Sequence, residues 1–210
     1  MRPNRIILVR HGESEGNLDK YKYRTTPDYA LNLTPKGIEQ SHQAGVEIQG
    51  IIGSESAYAY LSPYYRTRQT FQHLKTKIET NVVKVIEDPR IRELDWGHLR
   101  HPDENEEIMR QRDDFSTFYY RIPDGESGAD VFDRVSTFME TLYRDFRKRD
   151  YPQNALIVTH GLTLRLFLMR WFHWTVEEFE RLRNPRNCQV VVMQKMANEH
   201  YEIISKLETR

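Results

Sequence analysis

The chain has 210 residues, of which 38% are hydrophobic, 30% charged and 11% aromatic. This length suits one ordinary domain with a sizeable core, and the aromatic content argues against a disordered chain. Lys and Arg together number 31, as do Asp and Glu, so the chain has no net charge that would attract nucleic acid or an anionic membrane. We therefore expect neither partner, and any anion-binding site has to come from a local cluster of cations.

The single cysteine and the N-terminal residues bear on location. Cys188 is the only cysteine, which excludes an intrachain disulfide and favours a reducing compartment. The apolar run 6–9 before Arg10 is far too short for a signal-peptide core or a membrane helix, which needs about 18 residues or more. We predict a cytoplasmic protein.

Strand-like and helical patterns alternate along the chain. Short apolar runs predict strands at 6–9, 57–61, 82–86, 155–159, 190–193 and 201–204, the last two forming a terminal hairpin. Helical spacing and capping residues predict helices that begin at Thr34-Pro35, at Tyr64 (to about Ile78), at about Asp103 (to Tyr120), at Ser127 or Asp130, at Leu162 and at the capping box of Thr175 and Glu178.

This alternation predicts the α/β class, as a three-layer αβα sandwich with a mostly parallel central sheet. The stretch from about 98 to 126 breaks the alternation, because it is rich in charged and aromatic residues. We expect it to be a small helical insertion over the active-site end of the sheet.

Two predicted strands are each followed by a histidine and a glycine. His11-Gly12 follows the first strand, and His160-Gly161 follows the strand at 155–159. In α/β sheets ligands bind beyond the carboxyl ends of the strands, so we expect both histidines in one site. Glycine lets the backbone approach a ligand closely, and a helix starting just beyond Gly12 would favour an anion. A single histidine is more often a loop or core residue; the pair is what indicates a site.

Cations and a carboxyl group follow strands at the same predicted edge. Arg10 adjoins His11, Arg66 follows the second strand, and Glu93 comes soon after the third. Guanidinium groups bind phosphate in a bidentate manner. A neutral imidazole can attack phosphorus, guanidinium groups and a second histidine can hold the phosphate oxygens, and a carboxylic acid can protonate the leaving oxygen, so no metal or other cofactor is required. The alternatives are solvated surface arginines and a salt bridge from Glu93 to Arg92 or another local arginine.

These residues also carry a resemblance to a known family. The run Leu8-Val9-Arg10-His11-Gly12-Glu13-Ser14, followed by Asn17, resembles the signature of the histidine phosphatase superfamily, in its phosphoglycerate mutase-like branch. Further blocks match in the same order: Leu33-Thr34, Gly37 and Gln40; Ser62-Pro63, Arg66-Thr67 and Gln69-Thr70; and Val158-Thr159-His160-Gly161. The resemblance implies a single domain of this family over residues 1–210, with the insertion at about 98–126.

The resemblance also implies roles for individual residues. His11 would become the phosphohistidine, and Glu93 would be the proton donor. The other residues expected to line the phosphate pocket are Arg10, Arg66 and His160. Asn17 is expected to contact the substrate or its phosphate, and Gly12 and Gly161 to lie against the ligand. Leu99 stands where many relatives carry a tryptophan, so we expect an altered wall near the leaving group.

Three functions fit this set of residues. Gly125-Glu126-Ser127 with Asp130–Val135, and the stretch Leu162–Phe172, resemble the phosphatase side of the family, in a subgroup that includes broad-range acid phosphatases. We therefore predict a phosphomonoester hydrolase acting on small phosphorylated metabolites, with inorganic phosphate as the product. Phosphoglycerate mutase-type transfer is the first alternative, although the chain is shorter than expected for a mutase. A catalytically silent phospho-ligand binding module is the second.

Several features bear on the substrate. The basic residues Arg24 and Arg92, with Arg90 and Arg121, suggest that the substrate carries a second anionic group. Four aromatic residues at 115, 118, 119 and 120 would pack over an organic leaving group, or else belong to the core. A carboxylic acid donor predicts an acid pH optimum.

Two further clusters have simple explanations. His98 and His101 with Asp103 and Glu104 lack a recognised metal-ligand spacing, so we predict a polar loop and no metal site. The run Trp171-Phe172-His173-Trp174 predicts packing at a helix end, or a homodimer contact if it is exposed.

Overall fold

The computed structural model describes residues 2–98 and 102–209, and its strands and helices alternate as the sequence predicts. The strands are β1 (Arg5–Arg10), β2 (Ala57–Leu61), β3 (Val82–Glu87), β4 (Asn154–Thr159), β5 (Val190–Lys195) and β6 (Tyr201–Ile203). The α-helices are α1 (Glu15–Leu18), α2 (Pro35–Ile52), α3 (Tyr65–Lys75), α4 (Pro102–Phe115), α5 (Gly128–Phe146), α6 (Gly161–Phe172) and α7 (Val176–Glu180). Short 3₁₀ helices occupy Lys20–Arg24, Asp28–Ala30 and Pro89–Ile91.

The strands form one six-stranded sheet in the order β3-β2-β4-β1-β5-β6. The neighbours β3 and β2, β2 and β4, and β4 and β1 are parallel. β5 runs antiparallel to β1, and β6 pairs antiparallel with β5 as the predicted terminal hairpin. The mostly parallel sheet is therefore confirmed.

Helices cover both faces of this sheet. Alternate residues of its central strands point to opposite sides, so the apolar strands supply a core on each face. In β1, Ile6 and Leu8 pack into a core with α5, α6 and α7. Ile7 and Val9 face the other core, which contains α2 and α3. The predicted three-layer αβα sandwich is confirmed.

The helix starts follow the capping residues. The Thr34 hydroxyl accepts a hydrogen bond from Gly37 N at 3.0 Å, and Pro35 is the first residue of α2, as predicted. For α5 the cap is Ser127, whose backbone N and hydroxyl both donate to Asp130 at 2.7 Å. This reciprocal capping box satisfies backbone donors that the first turn of a helix leaves unpaired.

The helix predicted from Asp103 to Tyr120 is wrong at its C-terminal end, because α4 ends at Phe115. The Ser116 hydroxyl accepts hydrogen bonds from the backbone N–H groups of Phe118 and Tyr119 at 3.1 and 3.0 Å. A serine that pairs with nearby backbone groups in this way offers an alternative to the helical hydrogen bonds.

One edge of the sheet is open to solvent. In β3, Val83 is 60% exposed, so its apolar run is typical of an edge strand and not of one buried on both faces.

The Trp171–Trp174 run packs at the end of α6, where the rings of Phe172 and Trp174 stack with centroids 5.5 Å apart. Among residues 2–98 and 102–209, no helix is long and apolar enough to cross a membrane.

Candidate active site

Two histidines meet at the carboxyl edge of the sheet. β1 and β4 are in register with Arg10 opposite Thr159, and the backbone N of His11 donates to Thr159 O at 2.9 Å. This parallel pairing places His11 beside His160, with ring centroids 5.2 Å apart. His11 is 3% exposed and His160 is completely buried.

The hydrogen bonding of His11 defines its tautomer. Its Nδ1 lies 2.7 Å from Gly12 O, and a carbonyl oxygen can only accept, so Nδ1 carries the proton. Burial and the nearby guanidinium groups of Arg66 and Arg10 hold the pKa of His11 well below its usual value of 6.5. The imidazole is therefore neutral, with the lone pair of Nε2 available as a nucleophile.

His160 is positioned by Ser62, which follows β2. Its Nε2 lies 2.8 Å from Ser62 Oγ, and its Nδ1 lies 3.9 Å from Glu93 Oε2. Within the described part of the chain, Nδ1 of His160 and Nε of Arg10 are buried nitrogens without a hydrogen-bond partner. Buried polar groups are normally paired, so these two nitrogens suit the oxygens of an anionic ligand. Burial, followed by Arg66, lowers the pKa of His160 well below 6.5.

Both arginines are anchored to acceptors outside the strands. Arg66, 3% exposed, donates to the carboxylate of Asp28 at 2.9 and 3.3 Å and to its backbone O at 2.6 Å. Arg10 donates to Pro185 O at 2.7 Å. Because these contacts use only part of each guanidinium fork, both side chains retain donors for a phosphate group.

Glu93 lies beside His160, with its Oε2 3.9 Å from His160 Nδ1. Its carboxylate accepts from Leu94 N at 3.0 Å, and burial raises its pKa, an effect that Arg66 partly offsets. The pKa of Glu93 suits a group that donates a proton. The alternative of a salt bridge between Glu93 and Arg92 is wrong, because Arg92 pairs with Glu126 at 2.6 Å.

Four of the predicted side chains line one cavity of about 280 Å³: Arg10, Asn17, Arg66 and Glu93. The sequence did not single out several other lining residues: Lys20, Tyr23, Asp28, Trp96, Ile122 and Asn184. The outer wall comes from α4, through Pro102, Asn105, Glu106, Ile108 and Met109. This position of α4 agrees with the prediction of helical residues over the active-site end.

Asn17 is oriented by its neighbours. Its Oδ1 accepts from Ser14 N at 3.1 Å and from Asn187 Nδ2 at 3.3 Å. These bonds occupy the oxygen, which leaves the amide nitrogen of Asn17 as the donor for a ligand.

The two glycines have different surroundings. A Cβ on Gly12 would lie 2.5 Å from Gly37 O, so the glycine permits close packing of the site loop on α2. That contact agrees with the tight backbone geometry expected at Gly12, and the close approach of a ligand there stays a prediction. Gly161 begins α6, whose N-terminus follows His160 directly without a side-chain cap hydrogen bond. Free first-turn N–H groups favour an anion there.

The four arginines that suggested a second anion do not line this cavity. Arg92 pairs with Glu126, Arg90 with Asp88, and Arg121 with Asp130. Arg24 is exposed in the 3₁₀ helix Lys20–Arg24. The binding role predicted for Arg24 and Arg92 therefore finds no support in their positions.

None of the four aromatic residues at 115, 118, 119 and 120 lines this cavity, and the alternative of a core position is confirmed for Phe118. Phe118 belongs to the core, whereas Phe115 and Tyr119 are 71% and 60% exposed on a different surface. The cavity takes its aromatic wall from Tyr23 and Trp96 instead.

His101 and Leu99 lie outside the described residues, and so does the wall predicted from Leu99. Among residues that are described, no group of three or more His, Cys, Asp or Glu side chains could hold a metal ion.

Comparisons with known proteins place the chain in a family. The family model of the histidine phosphatase superfamily (branch 1) matches residues 6–204. The phosphoglycerate mutase-like protein AT74 of Arabidopsis thaliana is 45% identical over 91% of this chain, which spans 65% of that protein's length. The broad-range acid phosphatase DET1 of Saccharomyces cerevisiae is 28% identical over 92% of this chain and 86% of its own.

The fold has a counterpart among solved structures. A mycobacterial glucosyl-3-phosphoglycerate phosphatase in complex with inorganic phosphate superposes with a TM-score of 0.70. The match covers 99% of this chain and 96% of the other, at 20% identity. At this identity the likeness shows a common fold.

Proposed function

This chain belongs to the histidine phosphatase superfamily (branch 1), and we propose that it hydrolyses phosphomonoesters of small metabolites through a phosphohistidine at His11. The observation that carries the proposal is a neutral, buried His11 whose ring lies 5.2 Å from His160, with Glu93, a carboxyl group of raised pKa, 3.9 Å from His160 and two arginines lining the cavity beside Glu93. The acid phosphatase DET1 and a phosphatase that binds inorganic phosphate support it.

In the first step, Nε2 of His11 attacks phosphorus while the bond to the ester oxygen breaks. Arg10, Arg66 and Nδ1–H of His160 hold the three phosphate oxygens and stabilise their charge. Protonated Glu93 donates its proton to the leaving oxygen, so an alcohol departs instead of an alkoxide. The phosphoryl group then resides on His11.

In the second step, water replaces the alcohol. Glu93, now a carboxylate, accepts a proton from water as the water oxygen attacks phosphorus. The bond between phosphorus and Nε2 of His11 breaks, and inorganic phosphate and neutral histidine are restored. The two steps balance with water as the co-reactant, and Glu93 ends protonated as it began.

The test compares wild type with His11→Ala on para-nitrophenyl phosphate in the presence of EDTA. We expect the wild type alone to release phosphate, at a rate that EDTA does not change. His42→Ala is the matched control, because His42 of α2 is half-buried beside His73 of α3 and does not line the catalytic cavity. Equal hydrolysis by wild type and His11→Ala would refute the proposal. Conversion of 3-phosphoglycerate to its 2-isomer without hydrolysis would move the assignment to a mutase.

A further inference from the structure

A second pocket of about 360 Å³ adjoins the catalytic cavity. The two share three lining residues, Tyr23, Asp28 and Trp96. We call this second pocket the side pocket. Its remaining lining includes Tyr29, Tyr64 and Asp95. Since the two share a wall, a leaving group attached to a phosphate in the catalytic cavity is within reach of the side pocket.

The side pocket lies close to the reacting groups, because Tyr64 both lines it and contacts His160. The ring of Tyr64 packs on His160 with centroids 5.1 Å apart, and the guanidinium carbon of Arg66 lies 4.9 Å from the Tyr64 ring centroid. Burial raises the pKa of Tyr23 and of Tyr64 to about 12, so both remain neutral phenols. Four aromatic side chains line the pocket: Tyr23, Tyr29, Tyr64 and Trp96. Cations of the protein lie over three of these rings: Lys20 over Tyr23, Arg66 over Tyr64 and Arg112 over Trp96.

Charge is divided unevenly between the two spaces. The catalytic cavity is lined by the cations Arg10, Lys20 and Arg66 and by the acids Asp28, Glu93 and Glu106, whereas the side pocket is lined by no cation among the described residues. It has two carboxylates instead. Asp28 is already paired with Arg66. Asp95 accepts a hydrogen bond from Gly97 N at 2.9 Å and forms no ion pair within the described part of the chain.

From this arrangement we infer that the side pocket binds a cationic leaving group, so that the preferred substrates are phosphate esters of amino alcohols. Aromatic faces attract ammonium groups, quaternary ones included, and the exposed carboxylate of Asp95, which has no ion-pair partner among the described residues, adds direct charge pairing. A leaving group that bears a second anion would instead face Asp95. The inference rests on the proposed phosphatase function and identifies its substrate class.

Three esters of similar size provide the kinetic test: 2-aminoethyl phosphate, 2-hydroxyethyl phosphate and phosphoglycolate. They place an ammonium, a hydroxyl or a carboxylate at the same distance from phosphorus. We expect kcat/KM to fall in that order, with the ammonium ester about tenfold above the hydroxyl ester. In Asp95→Asn this preference should shrink to about twofold or threefold.

Glu104→Gln is the matched control, because Glu104 is an exposed acid of α4 that lines neither space. It should keep the wild-type preference for the ammonium ester. Equal kcat/KM values for the three esters, or an unchanged preference in Asp95→Asn, would overturn the inference.

A binding measurement separates this inference from the proposed reaction. Calorimetric titration of His11→Ala with the three esters reports affinity without turnover, and we expect the same order of Kd. If wild type hydrolyses para-nitrophenyl phosphate but binding shows no preference, the side-pocket inference fails and the phosphatase proposal stands. If no ester is hydrolysed but the ammonium ester binds most tightly, the phosphatase proposal fails and the side pocket stands.

Discussion

Asp28 places a carboxylate within the proposed phosphate site, where its two oxygens hold Arg66 at 2.9 and 3.3 Å. The backbone O of Asp28 accepts a third bond from Arg66 at 2.6 Å. These three hydrogen bonds hold Arg66 in place, but the negative charge of Asp28 lies close to where a phosphate dianion would bind. Asp28 also raises the pKa of Glu93 through its charge.

Asp28→Asn should therefore have two measurable effects. Removal of the negative charge should lower KM and the inhibition constant of inorganic phosphate several-fold, since Arg66 keeps its bond to the backbone O. It should also lower the pKa of Glu93, which shifts the alkaline limb of the pH profile to lower pH. Asp133→Asn, an exposed change on α5, is the control. A rise in the inhibition constant of phosphate would contradict the repulsive role of Asp28.

Glu93→Gln should remove the proposed proton donor while keeping its shape. We expect kcat/KM for an alkyl phosphate, which reports the phosphorylation step, to fall by about 100-fold to 1000-fold, because an alkoxide is a poor leaving group. The loss of kcat/KM for para-nitrophenyl phosphate should be much smaller, because nitrophenolate leaves without a proton, whereas kcat should fall for both esters because Glu93 is also the base of the second step. Steady-state kinetics with both esters check this contrast. Equal losses of kcat/KM would indicate that Glu93 has a different role.

The pH dependence of activity follows from the ionisation of His11 and Glu93. His11 must be neutral, and its pKa lies well below 6.5, so activity persists into the acid range. Glu93 must be protonated, and burial raises its pKa above the usual 4.5, so activity falls as the pH rises through the raised pKa of Glu93. We expect an acid optimum in a profile measured from about pH 4 to about pH 9. An activity that climbs steadily up to pH 9 would contradict Glu93 as the acid.

Two glycines of α2 provide a matched test of packing. Gly37 lies against the backbone of Glu13 in the site loop, so Gly37→Ala should lower the free energy of unfolding by about 1–3 kcal/mol or more. Gly50 has no atom within 4 Å of a Cβ position, so Gly50→Ala should raise it by about 0.4–1 kcal/mol. Urea unfolding of both variants measures the difference. A neutral Gly37→Ala would show that the loop packs less closely than the structure has it.

The sheet and its helix caps were predictable because they depend on local signals. Thr34 begins α2 and Ser127 caps α5, as the residue types indicate. The pairing of His11 with His160 also followed, since both come directly after parallel strands that meet at one edge of the sheet. For the same reason the positions of Arg66 and Glu93 beside them could be anticipated.

The parts that could not be predicted depend on contacts distant in sequence. Asp28 meets Arg66 across 38 positions of the chain from a short 3₁₀ helix, and no motif marks it. Arg92 was expected near the substrate, but Glu126 lies 34 positions away and pairs with it. Tertiary packing determines whether Arg92 pairs with Glu126 or lies near the substrate.

The most direct measurement is chemical trapping of the phosphorylated enzyme. Wild type would be mixed with para-nitrophenyl phosphate, quenched in alkali within the first turnover, and digested for mass spectrometry. We predict one phosphoryl group on the peptide that contains His11, stable in base, lost in acid and absent from His11→Ala. Turnover with the phosphoryl group on another residue, or with no phosphorylated peptide under conditions that preserve phosphohistidine, would contradict His11 as the nucleophile.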